Sequence, residues 1–324
     1  MIRSLLLMAL LAVVAATSWA AAPYPTKPIR IVVTYVPGGN TDVAARLVSP
    51  HLTENLGQPV IIDNRGGAGG VVGTEIAARA VPDGYTLLFG TSAGLSINPQ
   101  LQPRLPYNVE RDFAPISLLV INPQLMVAHP GLPANTLGDF LKLARAQPGK
   151  FNYASVGVGS PNHLGMELLK TMTGIDIVHI PYKGSAPAVI DLMAGNVSVF
   201  FSSVPVMVQH VRSGKLKALA VGSAARSPAA PDVPTVAESG VPGFEYVTWY
   251  GLFVPSGTQR AIVARLNEAV VKSLRLPQLD QQLRGQGSEP RPTSPEETAA
   301  FMKAEYARWS RVVKATGLAG KVNP

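Results

Sequence analysis

The chain contains no cysteine, which excludes both a disulfide framework and a lipid anchor attached through a thiol. Histidine is sparse. His51, His129, His163, His179 and His210 are scattered without H-E-x-x-H or comparable spacing, so no metal site is expected. Aromatics make up 6% of the residues and charged residues 15%. Lys and Arg outnumber Asp and Glu by 28 to 20, a net charge of +8, but the late basic residues interleave with acids on helix-patterned segments. A basic, aromatic-rich stripe is missing, and nucleic-acid binding with it. There is no G-K-[ST] phosphate loop, and no apolar run reaches the roughly 20 residues of a comfortable membrane span. No cofactor motif survives either. GGAGGVVG at residues 66–73 has Val72 where a dinucleotide loop needs its third glycine.

What is present begins at the N-terminus. Arg3, the apolar run Leu5 to Ala16 and the small pair Ser18 and Ala20 form a secretory leader, residues 1–20, with cleavage expected after Ala20. The mature protein is therefore expected to be exported, periplasmic and unanchored. About 300 remaining residues with 47% hydrophobic content support a large core and about two domains.

Strands and helices alternate along the chain. Ile29 to Val36, Val60 to Ile62 and Thr86 to Phe89 read as strands, with helices at Asp42 to Leu56 and Val71 to Ala80 between them. The order repeats from Leu137 to Val221, Ser223 to Gly243 reads as a connector, and Tyr246 to Val254 is β-rich. Such βαβ order implies an α/β fold with parallel sheets and right-handed crossovers. Two helices close the chain, Gln259 to Leu274 and one opened by the capping box Ser294-Pro295-Glu296-Glu297. The second is expected to bury Met302, Tyr306, Trp309 and Val313.

The loops at the strand ends carry the chemistry, because open α/β sheets bind ligands there. YVPGGNTD, residues 35–42, places Gly38 and Gly39 before a helix N-terminus, where free N–H groups and the helix dipole favour an anion. GTSAG follows the strand through Phe89, VGVGSPNH follows Asn152 to Ser155, and SSVP follows Phe201. Together they describe a cleft of main-chain amides and hydroxyls suited to a small carboxylate or phosphate. GTSAG also fits the G-x-S-x-G elbow of a serine hydrolase, which would make Ser92 a nucleophile. Pro99 and Pro103 leave little room for the helix that such an elbow must open. A secreted esterase remains the competing class.

Seven segments in order carry a resemblance over the whole mature chain: YPTKPIRIVV, YVPGGNTDVAAR, VIIDNRGGAGGVVG, PDGYTLLFGTS, FNYASVGVGSPNHLGMELL, IPYKGSAPAVIDLMAGNV and PTVAESGVPGFE. The chain resembles the Bug family of periplasmic solute receptors related to tripartite tricarboxylate transporters. The resemblance implies a two-lobed type II periplasmic binding protein fold, each lobe a mostly parallel sheet flanked by helices. Residues 21–122 plus 246–324 would form one lobe and residues 123–245 the other. It implies a ligand carboxylate held by Tyr35, Gly38, Gly39, Asn40, Gly90, Thr91 and Ser92 of the first lobe. Ser155, Gly159, Ser160, His163 and Tyr182 would close from the second, near Ser202 and Ser203. Many relatives carry an acidic residue in the stretch that reads FFSSVP here, so an amino-acid ligand is disfavoured. The implied function is capture of a small organic carboxylate, without catalysis or cofactor, by a monomer serving membrane transporter subunits. The alternative within this class is a sensor without a dedicated transporter.

Overall fold

The computed structural model describes residues 24–102 and 104–320. The expected leader and its cleavage point lie outside the described residues, as does Pro103. β1 (Ile29–Val33) is buried at every position but Arg30, as a strand covered on both faces must be. It ends three residues before the expected Val36, whose side chain is exposed in the following loop. α1 (Asn40–Leu56) covers it and stops at Gly57, whose left-handed φ of 70° closes the last turn. β2 (Val60–Asn64), α2 (Val71–Ala78) and β3 (Thr86–Thr91) complete the parallel trio β2-β1-β3.

A helical stretch follows β3: a π-turn at Ala93–Ile97 running into α3 (Asn98–Leu101). This corrects the expectation that the prolines leave little room for a helix there. Pro99 falls in the first turn of α3, where its missing N–H costs nothing. After α4 (Val109–Asp112) comes β4 (Phe113–Ala128), a 16-residue strand that the sequence pattern left unassigned. Its apolar run is buried on both faces and so has no period of two. Pro115 borders one of two register shifts against a neighbouring strand, a position where proline is tolerated.

The chain then builds α5 (Leu137–Ala146), β5 (Asn152–Ser155), α6 (Pro161–Thr173), β6 (Val178–Pro181), α7 (Ser185–Ala194), β7 (Val199–Ser203), α8 (Val204–Arg212) and β8 (Lys217–Val221). It returns through β9 (Val247–Pro255), α9 (Arg260–Leu274), α10 (Pro277–Gly285), the short β10 (Glu289–Pro290) and α11 (Pro295–Thr316). The sheet order is β2-β1-β3-β9-β4-β7-β5-β6. β9 lies antiparallel between β3 and β4. The single strand β4 serves both halves of the sheet: Phe113 to Pro123 pair with β9, and Gln124 to Ala128 pair with β7. A second link runs beside it, where Gly222 N–H donates to the Gln124 carbonyl and Tyr246 N–H to the Gly222 carbonyl.

Each half has its own apolar core. Ile31, Val48, Phe89, Leu252 and Leu266 gather around β1 and β9, while Phe140, Tyr153, Leu169, Phe201 and Tyr246 gather around β5 and β7. α11 spans the two. Phe301 and Met302 pack beside Trp249 and Phe253, whereas Trp309, Val312 and Val313 enter the core of the other half. Its buried stripe runs Thr298, Glu305, Trp309, Val312 and Val313. Trp309 and Val313 are buried and Met302 packs against the core as expected, but Tyr306 is corrected: Glu305 takes an inward position, and Tyr306, one residue and about 100° further round the helix, is 42% exposed.

Candidate functional site

Two loops of the first half meet at the end of the parallel strands. Gly38 takes φ of 88°, which only glycine adopts freely, while Gly39 is an ordinary N-cap at φ −80°. Backbone conformation thus demands glycine at 38 but not at 39. The Gly38 N–H is already used, donating at 2.9 Å to Asp42 Oδ2. Asp42 also accepts from Arg46 Nε and Asn64 Nδ2. Burial pushes its carboxyl up, but the hydrogen bonds from Arg46, Gly38 and Asn64 hold it below the usual carboxylate range. This corrects the simple picture of an open helix N-terminus, since the first turn carries its own anion. The N–H groups of Gly39, Asn40 and Thr41 still have no acceptor among the described residues. They remain available to an oxygen ligand.

Tyr35 directs its hydroxyl toward the Gly69 carbonyl at 3.5 Å, and burial pushes the Tyr35 and Tyr250 phenols up. The Thr91 hydroxyl also accepts from Gly94 N–H at 3.2 Å, capping the helical stretch. Gly90 is glycine for packing reasons: a Cβ there would stand 2.8 Å from the Phe253 ring. Ser92 is 3% exposed in ordinary right-handed geometry, φ −53° and ψ −40°. The strained turn that presents a nucleophile is therefore missing at Ser92, although a helix does follow.

In the second half, β5 leads into a loop that two histidines brace. Ser155 Oγ sits 2.6 Å from His179 Nε2 and accepts from Gly157 N–H at 3.1 Å. His163 Nδ1 accepts from Gly159 N–H at 3.0 Å, which fixes its other nitrogen as the protonated one. The two imidazoles stack with centroids 3.9 Å apart and planes within 8°, with Tyr153 stacked beyond them. Burial pushes His163 down to about 4, with help from His179, and burial lowers His179 as well. His163 is 5% exposed and acts on the loop. Ser160 likewise spends its hydroxyl locally, donating to the Gly157 carbonyl and capping α6.

Tyr182 directs its hydroxyl to Asp191 at 2.8 Å. Ser202 is buried in β7, and Ser203 begins α8 without a side-chain cap bond. Asn40 and Ser203, from opposite halves, line one pocket of about 50 Å³ together with Asn122, Thr248, Tyr250 and Ser288. Two larger hollows, about 300 and 380 Å³, lie beside α4 and α11 and include none of the ligand-site residues nominated from sequence. Sequence reasoning missed Asn122, which lay in the unassigned strand, and His179, whose partner Ser155 is 24 residues away. Among the described residues no group of three His, Asp or Glu side chains is placed to hold a metal ion.

His163→Leu removes the acceptor of a buried N–H and is expected to cost about 1–3 kcal/mol of stability at neutral pH. The folded pKa of about 4 lies below the ordinary 6.5, so the unfolded chain binds the proton first. The parent should lose about 2–3 kcal/mol through this group as pH falls from 6.5 to 4. Urea titrations should therefore find the gap between parent and variant closing on acidification; a constant gap would contradict a neutral, buried His163.

The family described as the tripartite tricarboxylate transporter family receptor matches residues 44–318. Protein BugT of Bordetella pertussis is 40% identical over 317 residues, 96% of this chain and 97% of the relative. A Rhodopseudomonas palustris protein solved with adipate is 36% identical, with a TM-score of 0.77 over 91% of this chain and 99% of that one. MatC of the same organism, solved with malate, is 35% identical, with a TM-score of 0.73 over 90% and 100%. The structural neighbours share the periplasmic binding protein fold.

Proposed function

The chain belongs to the tripartite tricarboxylate transporter receptor family, and from that premise we propose that it captures one small organic carboxylate between its two sheet halves. Residues 21–122 plus 246–324 act as one lobe and residues 123–245 as the other, with β4 and the Gly222 to Tyr246 link as the hinge. The observation that carries this reading is the set of N–H groups at Gly39, Asn40 and Thr41 that have no acceptor among the described residues, with Asn40 sharing a pocket with Ser203 of the second half. Main-chain donors at a helix start favour negative charge even without a cation. Relatives solved with adipate and malate support a carboxylate ligand. Ser202 and Ser203 supply no counter-charge for an ammonium group, so amino acids are disfavoured. The protein works in the periplasm as a monomer and delivers its ligand to membrane subunits of a tripartite transporter.

Adipate or malate at 100 times its dissociation constant is expected to add about 2.7 kcal/mol to stability. The matching diamide should give no thermal shift at the same concentration. Equal stabilisation by acid and diamide would rule out a carboxylate-centred site.

A further inference from the structure

The loop that follows β5, Ser155 to Ser160, is fastened near both ends to a histidine. His179 of β6 holds Ser155 Oγ at one end, and His163 of α6 accepts the Gly159 N–H at the other. Val158 at the tip between them is 48% exposed. A serine, an asparagine or a carbonyl would accept a glycine N–H at any pH. An imidazole accepts at Nδ1 only while it is neutral, because the proton that charges the ring takes the same lone pair. The stack adds a second condition, since two charged rings 3.9 Å apart repel each other.

The groups around the pair set its balance. β5 contributes the buried phenol of Tyr153, stacked on His179, and α6 contributes Glu167 and Lys170, ion-paired at 2.7 Å. Burial and His179 oppose a proton on His163, Glu167 favours one, and Lys170 works against Glu167. His163 therefore stays neutral while the loop is fastened and takes a proton by letting Gly159 go. We propose that His163 and His179 form a proton-operated latch on the ligand-facing loop, so that the receptor grips its ligand at neutral pH and holds it less tightly in mild acid. This rests on the carboxylate-receptor reading and adds a condition under which the second half engages. Fastened, His163 is held down to about 4; released into water it returns toward about 6.5. The fastened state is thus favoured above pH 6.5 and loses ground as pH falls toward 4.

Amide exchange followed by NMR on the ligand-free mature protein tests the latch alone. Between pH 7 and pH 5, protection at Gly159, corrected for intrinsic exchange, should fall by about twentyfold. Gly174, whose N–H donates to the Lys170 carbonyl at the far end of the same helix, should keep its protection. In His163→Asn, whose amide oxygen can accept without titrating, Gly159 should lose the pH dependence. Calorimetry with adipate and malate tests the consequence: the affinity of the parent relative to that of the variant should fall by about threefold over the same interval, the titration of the ligand itself cancelling in the ratio. Constant Gly159 protection in the parent, which needs no variant, overturns the latch and leaves the carboxylate reading intact. A pH-dependent Gly159 with a constant affinity ratio overturns the coupling to ligand. Failure of both acids to bind the parent at pH 7 overturns the receptor reading and this coupling with it.

Discussion

Glu305→Leu is expected to remove about 3–5 kcal/mol of stability, because it takes away the acceptor around which three donors are arranged. Glu305 is 1% exposed, and its Oε2 accepts from Trp249 Nε1 at 3.1 Å and from Trp309 Nε1 at 3.2 Å. Oε1 accepts from Arg308, which also pairs with Glu245. Burial pushes the carboxyl up, and Arg308 and the two indoles pull it back only in part. Leucine would leave both indole N–H groups buried and unpaired. For a chain of this size the loss corresponds to a fall in melting temperature of roughly 5–10 °C. Glu305→Gln should cost less, since its amide oxygen can still accept from the indoles. A leucine variant melting within 2 °C of the parent, about 1 kcal/mol, would show that the network holds nothing in place.

Gly287→Ala is expected to weaken ligand binding by roughly tenfold to a hundredfold without touching the ligand. Gly287 lies between α10 and β10 at φ 71°, and a Cβ there would overlap the Cγ and Cδ atoms of Pro205 in the opposite half. Pro205 is pinned in the first turn of α8, so the two halves must part to make room. Pro205→Gly should restore most of the affinity in the double variant, and small-angle scattering should find only the single variant enlarged. Gly285→Ala, where nothing stands within 4 Å, should bind as the parent does. Parental affinity in Gly287→Ala, or no rescue by Pro205→Gly in a folded double variant, would refute a contact that limits closure.

The sequence made some of this architecture readable and hid the rest for physical reasons. β1, α1, β2, α2 and β3 announce themselves as short apolar runs or a helical apolar face, punctuated by nearby glycine or proline. The strand that joins the halves does not: Pro115 and Pro123 interrupt it, and burial on both faces removes its alternation. α11 is legible from its capping box, and Met302, Trp309 and Val313 from their spacing, but Glu305 looks like a solvent residue until Trp249, 56 positions away, is placed against it. The glycine loops were visible as composition. What their polar atoms do was not, since the partners of Gly38, Ser155 and Gly159 are fixed by Asp42, His179 and His163 through backbone turns that no spacing rule reports.

The position of β9 bears on how the molecule is made. β3 and β4 stand on either side of β9 and each pairs with it, so no strand pairing joins them until residues 247–255 have been synthesised. Before then the nascent chain carries two open strand edges, which invite pairing with other chains. The long-range closure also makes folding slow relative to local helix formation. A polypeptide that locks only when its last segments arrive leaves prematurely terminated chains with those edges open and prone to aggregate.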